Sequence, residues 1–300
     1  MLKLKAWISA ARLRTLPLSV AGILVGSAYA QINGYFNLII FCLALASTLA
    51  LQILSNFAND YGDGVKGTDN HERIGPMRAL QSGIINDQEM KIGIIITSCM
   101  ALILAVALIY VSFGSENLLY SIAFIALGLL AIYAAIKYTV GNSAYGYRGL
   151  GDFFVFLFFG LVSVIGTYFL YSQKLDSLIV YPAISIGLLS TAVLNLNNMR
   201  DLESDKKANK ITLAVKLGIT KAKQYHASLI GIALACFVYY IYSLAENLHY
   251  ISLLAFIPLL MHLGKVSKTK QNKLFDPELK KVALSTFALA MLHFVVSHFN

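Results

Sequence analysis

Long apolar runs free of charge alternate with short polar segments along the entire chain. No charged residue lies between Arg14 and Asp60, and that stretch is interrupted at Gln31-Ile32-Asn33-Gly34. It therefore predicts one apolar helix over residues 15–30 and another over 35–58. Further charge-free runs cover residues 92–115, 117–136, 153–173, 177–199, 224–245, 247–264 and 282–300. Crossing a bilayer takes about 20 mostly apolar residues in a helix. The pattern thus predicts an all-α integral membrane protein with nine transmembrane helices, an odd number that puts the termini on opposite faces.

The basic residues test this division. Numbered from the N-terminus, the alternate inter-helix segments collect 23 of the 24 lysines and arginines, and Lys174 alone falls on the other face. Such asymmetry marks the cytoplasmic side, so the N-terminus is expected there. A net charge of +9 is thereby explained without nucleic acid as a partner, and membrane lipid takes its place. Composition agrees: 58% of residues are apolar and 13% charged, against roughly 45–50% and about 25% for a soluble domain. An ordinary soluble enzyme, a disordered chain and a disulfide scaffold are excluded. Cys42, Cys99 and Cys236 each lie in an apolar run and read as small hydrophobes.

Residues 1–14 read as an interfacial amphipathic segment, in which 3–12, with Trp7 and Ile8 among Lys3, Lys5 and Arg12, form a short helix lying at the interface. The same region followed by Ala28-Tyr29-Ala30 also mimics a cleavable secretory signal, and charge counting alone does not separate the two readings. The whole chain, 1–300, is expected to form one membrane-embedded domain. Its long inner loops, 59–91 and 200–223, are the place for chemistry.

Twelve of the 15 acidic residues fall on the inner side. Asn56, Asn59, Asp60 and Asp63 fall on one face if the second helix continues, and Gly62, Gly64 and Gly67 then let Asp69 fold back toward it. Asn197, Asp201 and Asp205 form a second stripe after the sixth helix, flanked by Asn198 and Arg200. Carboxylates one turn apart repel each other, which a divalent cation relieves. Hard oxygen ligands suit Mg²⁺, which binds few carboxylates and completes its shell with waters and phosphate oxygens. Two such clusters beside Lys and Arg are suited to Mg²⁺ and a diphosphate. A single cluster would read as a solvated helix end. A secondary transporter or channel would instead place charge near helix middles. The six histidines are scattered without ligand spacing, and none is assigned to metal.

These motifs resemble those of the UbiA-type intramembrane aromatic prenyltransferases over nearly the whole chain. The resemblance rests on Arg12-Leu13-Arg14-Thr15-Leu16-Pro17, Asn59-Asp60-Tyr61-Gly62-Asp63 with Gly67-Thr68-Asp69, and Arg73-Ile74-Gly75-Pro76-Met77-Arg78-Ala79. Tyr147-Arg148-Gly149-Leu150-Gly151-Asp152 and Asn197-Asn198-Met199-Arg200-Asp201 through Lys210-Ile211-Thr212-Leu213 follow in the same order. It is strongest to the branch that prenylates 1,4-dihydroxy-2-naphthoate in menaquinone synthesis. Asn209 stands where the family usually has Gly, Asn142 and Ala144 where prolines are expected, and Asp152 where Glu is common.

The resemblance implies nine helices around a cavity open to the cytoplasm and to lipid. It implies Mg²⁺-dependent transfer of a polyprenyl group from its diphosphate to the naphthoate, with loss of CO₂ and pyrophosphate. Asp60, Asp63, Asp201 and Asp205 become the expected metal ligands, with Asp69 as a further one and Asn59 and Asn198 assisting. Lys66, Arg78, Arg200 and Lys210 are expected to hold phosphate oxygens, and Arg14 either the acceptor carboxylate or the membrane interface. Asp152 is expected to orient or deprotonate an acceptor hydroxyl, with Tyr138, Tyr145 and Tyr147 lining its pocket. A sister enzyme using 4-hydroxybenzoate or homogentisate is the nearest alternative. Gly160, Gly166 and Gly187 are expected at close helix contacts, and Pro182 and Pro258 at kinks.

Overall fold

The computed structural model describes residues 2–68 and 77–299. Among them every regular element is helical, and nine helices are long and apolar enough to cross a membrane. The first crossing joins α1 (Leu2–Ala11) to α2 (Leu16–Ile32), and the next three are α3 (Leu38–Val65), α4 (Asp87–Phe113) and α5 (Leu118–Lys137). The fifth crossing begins as α6 (Gly151–Val155), widens into a π-helical segment over Phe156–Ile165 and ends as α7 (Gly166–Ser172). Then come α8 (Val180–Arg200), α9 (Leu202–Lys207), α10 (Leu213–Leu244), α11 (Phe256–Lys268) and α12 (Asp276–Val296). A 3₁₀ stretch over Asn247–Ala255 leads into α11.

Both α3 and α10 outrun the charge-free segments that predict them, toward the candidate chemistry. α3 continues through Asp60 and Asp63 to Val65, and α10 starts at Leu213 with Thr212 as its cap. Only at Gly218, φ 73°, does α10 leave helical geometry. α4 opens on a capping box in which Asn86 and Glu89 exchange side-chain and backbone bonds.

Two packed groups frame the bundle. Leu189, Leu196, Phe237 and Leu289 belong to a core joining α8, α10 and α12, whereas Leu54, Phe57 and Met90 join α3 to α4 and α1. Trp7 of α1 meets Phe57 edge-on, with ring centres 5.1 Å apart. On α5 only Ala134 is buried, and Leu119, Ile122 and Leu130 face outward. An apolar exterior of this kind belongs against lipid.

Close approach explains two of the three glycines singled out in the sequence. A Cβ on Gly160 would lie 2.6 Å from the Gly187 Cα, so the π-helical segment and α8 meet through these positions. Gly166 departs from the expectation: nothing lies within 4 Å of its Cβ direction, and it lines the cavity instead. Pro182 and Pro258 fall in the first turns of α8 and α11, where a missing N–H costs nothing, so they begin helices. Four of the six histidines, scattered in sequence, pair in space: His226 Nε2 lies 2.8 Å from His262 Nε2, and His249 Nδ1 lies 3.1 Å from His293 Nδ1.

Candidate active site

A cavity of about 610 Å³ opens between α3, α5, the π-helical segment and α8. One end is polar, with Arg12, Arg14, Asn59, Asp63, Arg78 and Lys210 in its wall. The other end is apolar, walled by residues such as Leu108, Phe124, Leu127, Phe158, Val162 and Leu170. Its shape therefore suits a ligand with an anionic head and a long hydrocarbon tail.

The two acidic motifs meet at this polar end. Lys210 Nζ lies 3.8 Å from Asp63 Oδ2 and 3.8 Å from Asp205 Oδ1, so one ammonium joins the ends of α3 and α9. Burial works against the Lys210 charge, but Asp63 and Asp205 outweigh it and hold the lysine protonated above its usual range. Backbone geometry carries Lys210 there: its N–H donates to Asp205 O at 2.8 Å, and Asn209 before it has φ 53°. Asn tolerates that left-handed conformation, which explains how it replaces the family's Gly.

Asp63 is held on a second side. Tyr147 Oη donates to Asp63 Oδ1 at 2.7 Å and lies 2.7 Å from Thr68 Oγ1. Lys66 Nζ sits 3.9 Å over the Tyr147 ring and donates to Thr139 O at 2.7 Å. Tyr147 and Lys66 are thus placed behind Asp63 and do not line the cavity. Burial and the Asp63 charge push the Tyr147 phenol above its usual range, so it donates throughout neutral pH.

Asp60 also departs from the ligand expectation. Its Oδ2 accepts from Ala79 N–H at 3.1 Å and its Oδ1 from Leu80 N–H at 3.3 Å, so it clasps the turn that precedes α4 and does not line the cavity. Asp69 lies outside the described residues. Asp201 faces the cavity but is gripped by Arg200, with Nε to Oδ1 at 2.8 Å and Nη2 to Oδ2 at 2.6 Å. The guanidinium is buried and also reaches Asn197 Oδ1 at 2.8 Å and Asp276 Oδ1 at 2.5 Å, so its donors serve the protein before any phosphate. Asn59 and Asn198 line the cavity as expected, Asn59 Oδ1 accepting from Thr139 Oγ1 at 3.2 Å. Arg78 lines it beside Asp63, and Arg14 is exposed at its rim.

Asp152 is buried behind the wall, and neither of its carboxyl oxygens finds a hydrogen-bond partner among the described residues. Tyr138 and Tyr145 line the cavity, and Tyr145 stacks on Phe154 with ring centres 4.0 Å apart. Three cavity residues escaped sequence reasoning. Arg12 reads as interfacial charge, yet its φ of 50° turns the chain between α1 and α2 and sets the side chain in the wall. Asp276 and Lys280 of α12 read as loop charges, and no local spacing ties them to α8.

Among the described residues, no three His, Cys, Asp or Glu side chains are grouped closely enough to hold one ion. The donor chemistry nevertheless fits a hard cation: Asp63, Asp201 and Asp205 offer carboxylate oxygens, Asn59 and Asn198 amide oxygens, and among the described residues no thiolate or imidazole lies in the wall.

A model of the UbiA prenyltransferase family matches residues 19–290. The chain is 45% identical to a 1,4-dihydroxy-2-naphthoate octaprenyltransferase of Haemophilus influenzae, covering 97% of this chain and 94% of that protein. It is 48% identical to the Escherichia coli protein of the same name over 77% of this chain and 75% of that one. In fold it is similar to a UbiA homolog of Aeropyrum pernix, with a TM-score of 0.70, 15% identity and coverage of 95% and 97% of the two chains. It is also similar to a UbiA homolog of Archaeoglobus fulgidus solved with DMAPP and Mg²⁺, with a TM-score of 0.67, 15% identity and coverage of 98% and 100%. Nine apolar helices, a cavity with an ionic head and an apolar tail, and a family match over most of its length agree: this multi-pass membrane chain belongs to the UbiA prenyltransferase family.

Proposed function

We propose that the chain transfers a polyprenyl group from a polyprenyl diphosphate to 1,4-dihydroxy-2-naphthoate, releasing pyrophosphate and CO₂ and giving demethylmenaquinol, the reduced form of demethylmenaquinone. The setting is the cytoplasmic (inner) membrane, with the polar mouth toward the cytoplasm, because the basic residues gather on that side. The acceptor follows from the names of the bacterial relatives at 45% and 48% identity. The single observation that carries the chemistry is the convergence of Asp63 and Asp205 on Lys210 at the mouth of an apolar cavity.

In this mechanism Arg12, Arg78 and Lys210 attract the diphosphate, and the apolar arm takes the hydrocarbon. Asp63, Asp201 and Asp205, assisted by Asn59 and Asn198, would hold Mg²⁺, whose charge would offset that building on the departing phosphate oxygens. As the allylic C–O bond breaks, fixed positive charge at the polar end favours the separated ions more than the intact donor. The apolar wall keeps water from the allylic carbon, and Tyr138, Tyr145 and Phe154 offer aromatic faces to the acceptor ring. A ring carbon forms the new C–C bond to the allylic carbon as the carboxylate leaves as CO₂, and any proton lost at one ring carbon is balanced by one taken up at the other. Asp152 is buried outside the cavity wall, so it would act on the acceptor only through residues that line the wall.

The test is turnover by purified protein with Mg²⁺, a polyprenyl diphosphate and each acceptor in turn. The expected result is a lipophilic naphthoquinol with CO₂ release. Turnover of 4-hydroxybenzoate with none of the naphthoate would overturn the assignment.

A further inference from the structure

Arg200 is shared between two carboxylates that lie 75 residues apart in sequence, and only one of them belongs to the acidic motifs. The guanidinium is 1% exposed, so leaving it without an anion costs heavily. Asp201 occupies two of its nitrogens in a fork, and Asp276 occupies the third, Nη1, at 2.5 Å. A carboxylate clamped in this way is poorly placed to take a cation. Asp276 sits at the first position of α12, where the helix N-terminus favours negative charge, and its side chain is 41% exposed at the cavity rim. It is thus fixed on one side by its helix and on the other by Arg200.

We propose that Asp276 is the reserve counter-ion of Arg200: it keeps the buried guanidinium paired while Asp201 turns from Arg200 to a divalent cation. The idea rests on the reading of Asp201 as a cation ligand. It makes Asp276 a positioning residue, acting through Arg200 and touching neither substrate nor cation. Without Asp276 the guanidinium has Asp201 as its sole carboxylate, and the cation must compete for it.

The experiment measures Mn²⁺ binding to the full-length protein in lipid nanodiscs by electron paramagnetic resonance, with no substrate present. Asp276→Asn is expected to weaken Mn²⁺ binding about tenfold, and Asp276→Glu to restore it. The weakening is expected to persist in about 1 M salt, where charges acting through solvent are screened within about 3 Å. A partly exposed Asp→Asn change at a helix start is compatible with folding, and a matching elution profile in size-exclusion chromatography checks it. Unchanged Mn²⁺ affinity in Asp276→Asn overturns the proposal, as does loss of the effect in high salt or failure of Asp276→Glu to restore binding. Asp201→Asn separates the two layers. If it weakens Mn²⁺ binding and Asp276→Asn does not, only the counter-ion role fails. If Asp201→Asn binds Mn²⁺ like the parent protein, the ligand reading itself fails and takes this proposal with it.

Discussion

Removing one oxygen atom, in Tyr147→Phe, separates the two roles open to this side chain. Tyr147 donates to Asp63 Oδ1 at 2.7 Å, and its ring lies 3.9 Å beneath Lys66 Nζ and 5.3 Å from Lys210 Nζ. Phenylalanine keeps the ring and both cation contacts and deletes the donor to Asp63 together with the Thr68 contact. A hydrogen bond to a charged group contributes about 1.5–3 kcal/mol. Asp63 is 5% exposed, so water replaces the lost donor poorly, while Lys210 at 3.8 Å still offsets the charge. If most of that energy serves to aim Asp63, the barrier rises by about 1.5–2.5 kcal/mol, which is roughly ten- to seventyfold in rate. The assay is initial rate against each substrate separately, with thermal unfolding in detergent as the control for folding. kcat/KM for the prenyl diphosphate is expected to fall by that factor, while the KM for the aromatic acceptor stays near that of the parent. A raised acceptor KM with unchanged donor kinetics would refute the geometry and restore Tyr147 to an acceptor pocket.

Asp60→Asn is expected to cost at least tenfold less kcat/KM than Asp63→Asn, because Asp60 accepts two backbone N–H bonds whereas Asp63 faces the cavity; equal losses would show that Asp60 meets the cation after all. Gly62→Ala puts a Cβ 2.5 Å from Thr139 Oγ1 and 2.7 Å from its carbonyl carbon, so a loss of about 1–3 kcal/mol is expected in thermal unfolding; parent-like stability would contradict that contact. Lys210 titrates above its usual range, so its stabilising charge is complete below a pH of about 10.4 and is lost only as pH rises through the higher folded value. The parent's activity is therefore expected to show no decline from this group between about pH 7 and 10. In Lys210→Met, Asp63 and Asp205 lose their shared cation, so the unfolding deficit is expected to shrink as acid protonates one of them; a deficit independent of pH would refute the shared-lysine arrangement.

The bundle was legible because lipid imposes a coarse rule. A spanning helix must be apolar for about 20 residues, and a loop on the basic side must carry charge. Nine runs satisfied that rule, and nine crossing helices follow. Helix ends were less legible: α3 carries two aspartates past its apolar run, since neighbours in the fold can satisfy charges that hydropathy treats as stops. The same limit applies inside the acidic motif. Asp60 and Asp63 are one turn apart, equally charged and both buried, and helical spacing assigns them to a single face. What separates them comes from elsewhere in the chain: the Ala79 and Leu80 N–H groups claim one, and Lys210 and Tyr147 hold the other at the cavity. Arg200 reverses an expectation for the same reason. Its place in the motif suggested phosphate, but Asp276 arrives from α12, 76 residues along the chain, and makes the guanidinium part of the scaffold. Spacing along one helix identifies residues able to share a task, and only the partners supplied by distant segments decide which of them is free to perform it.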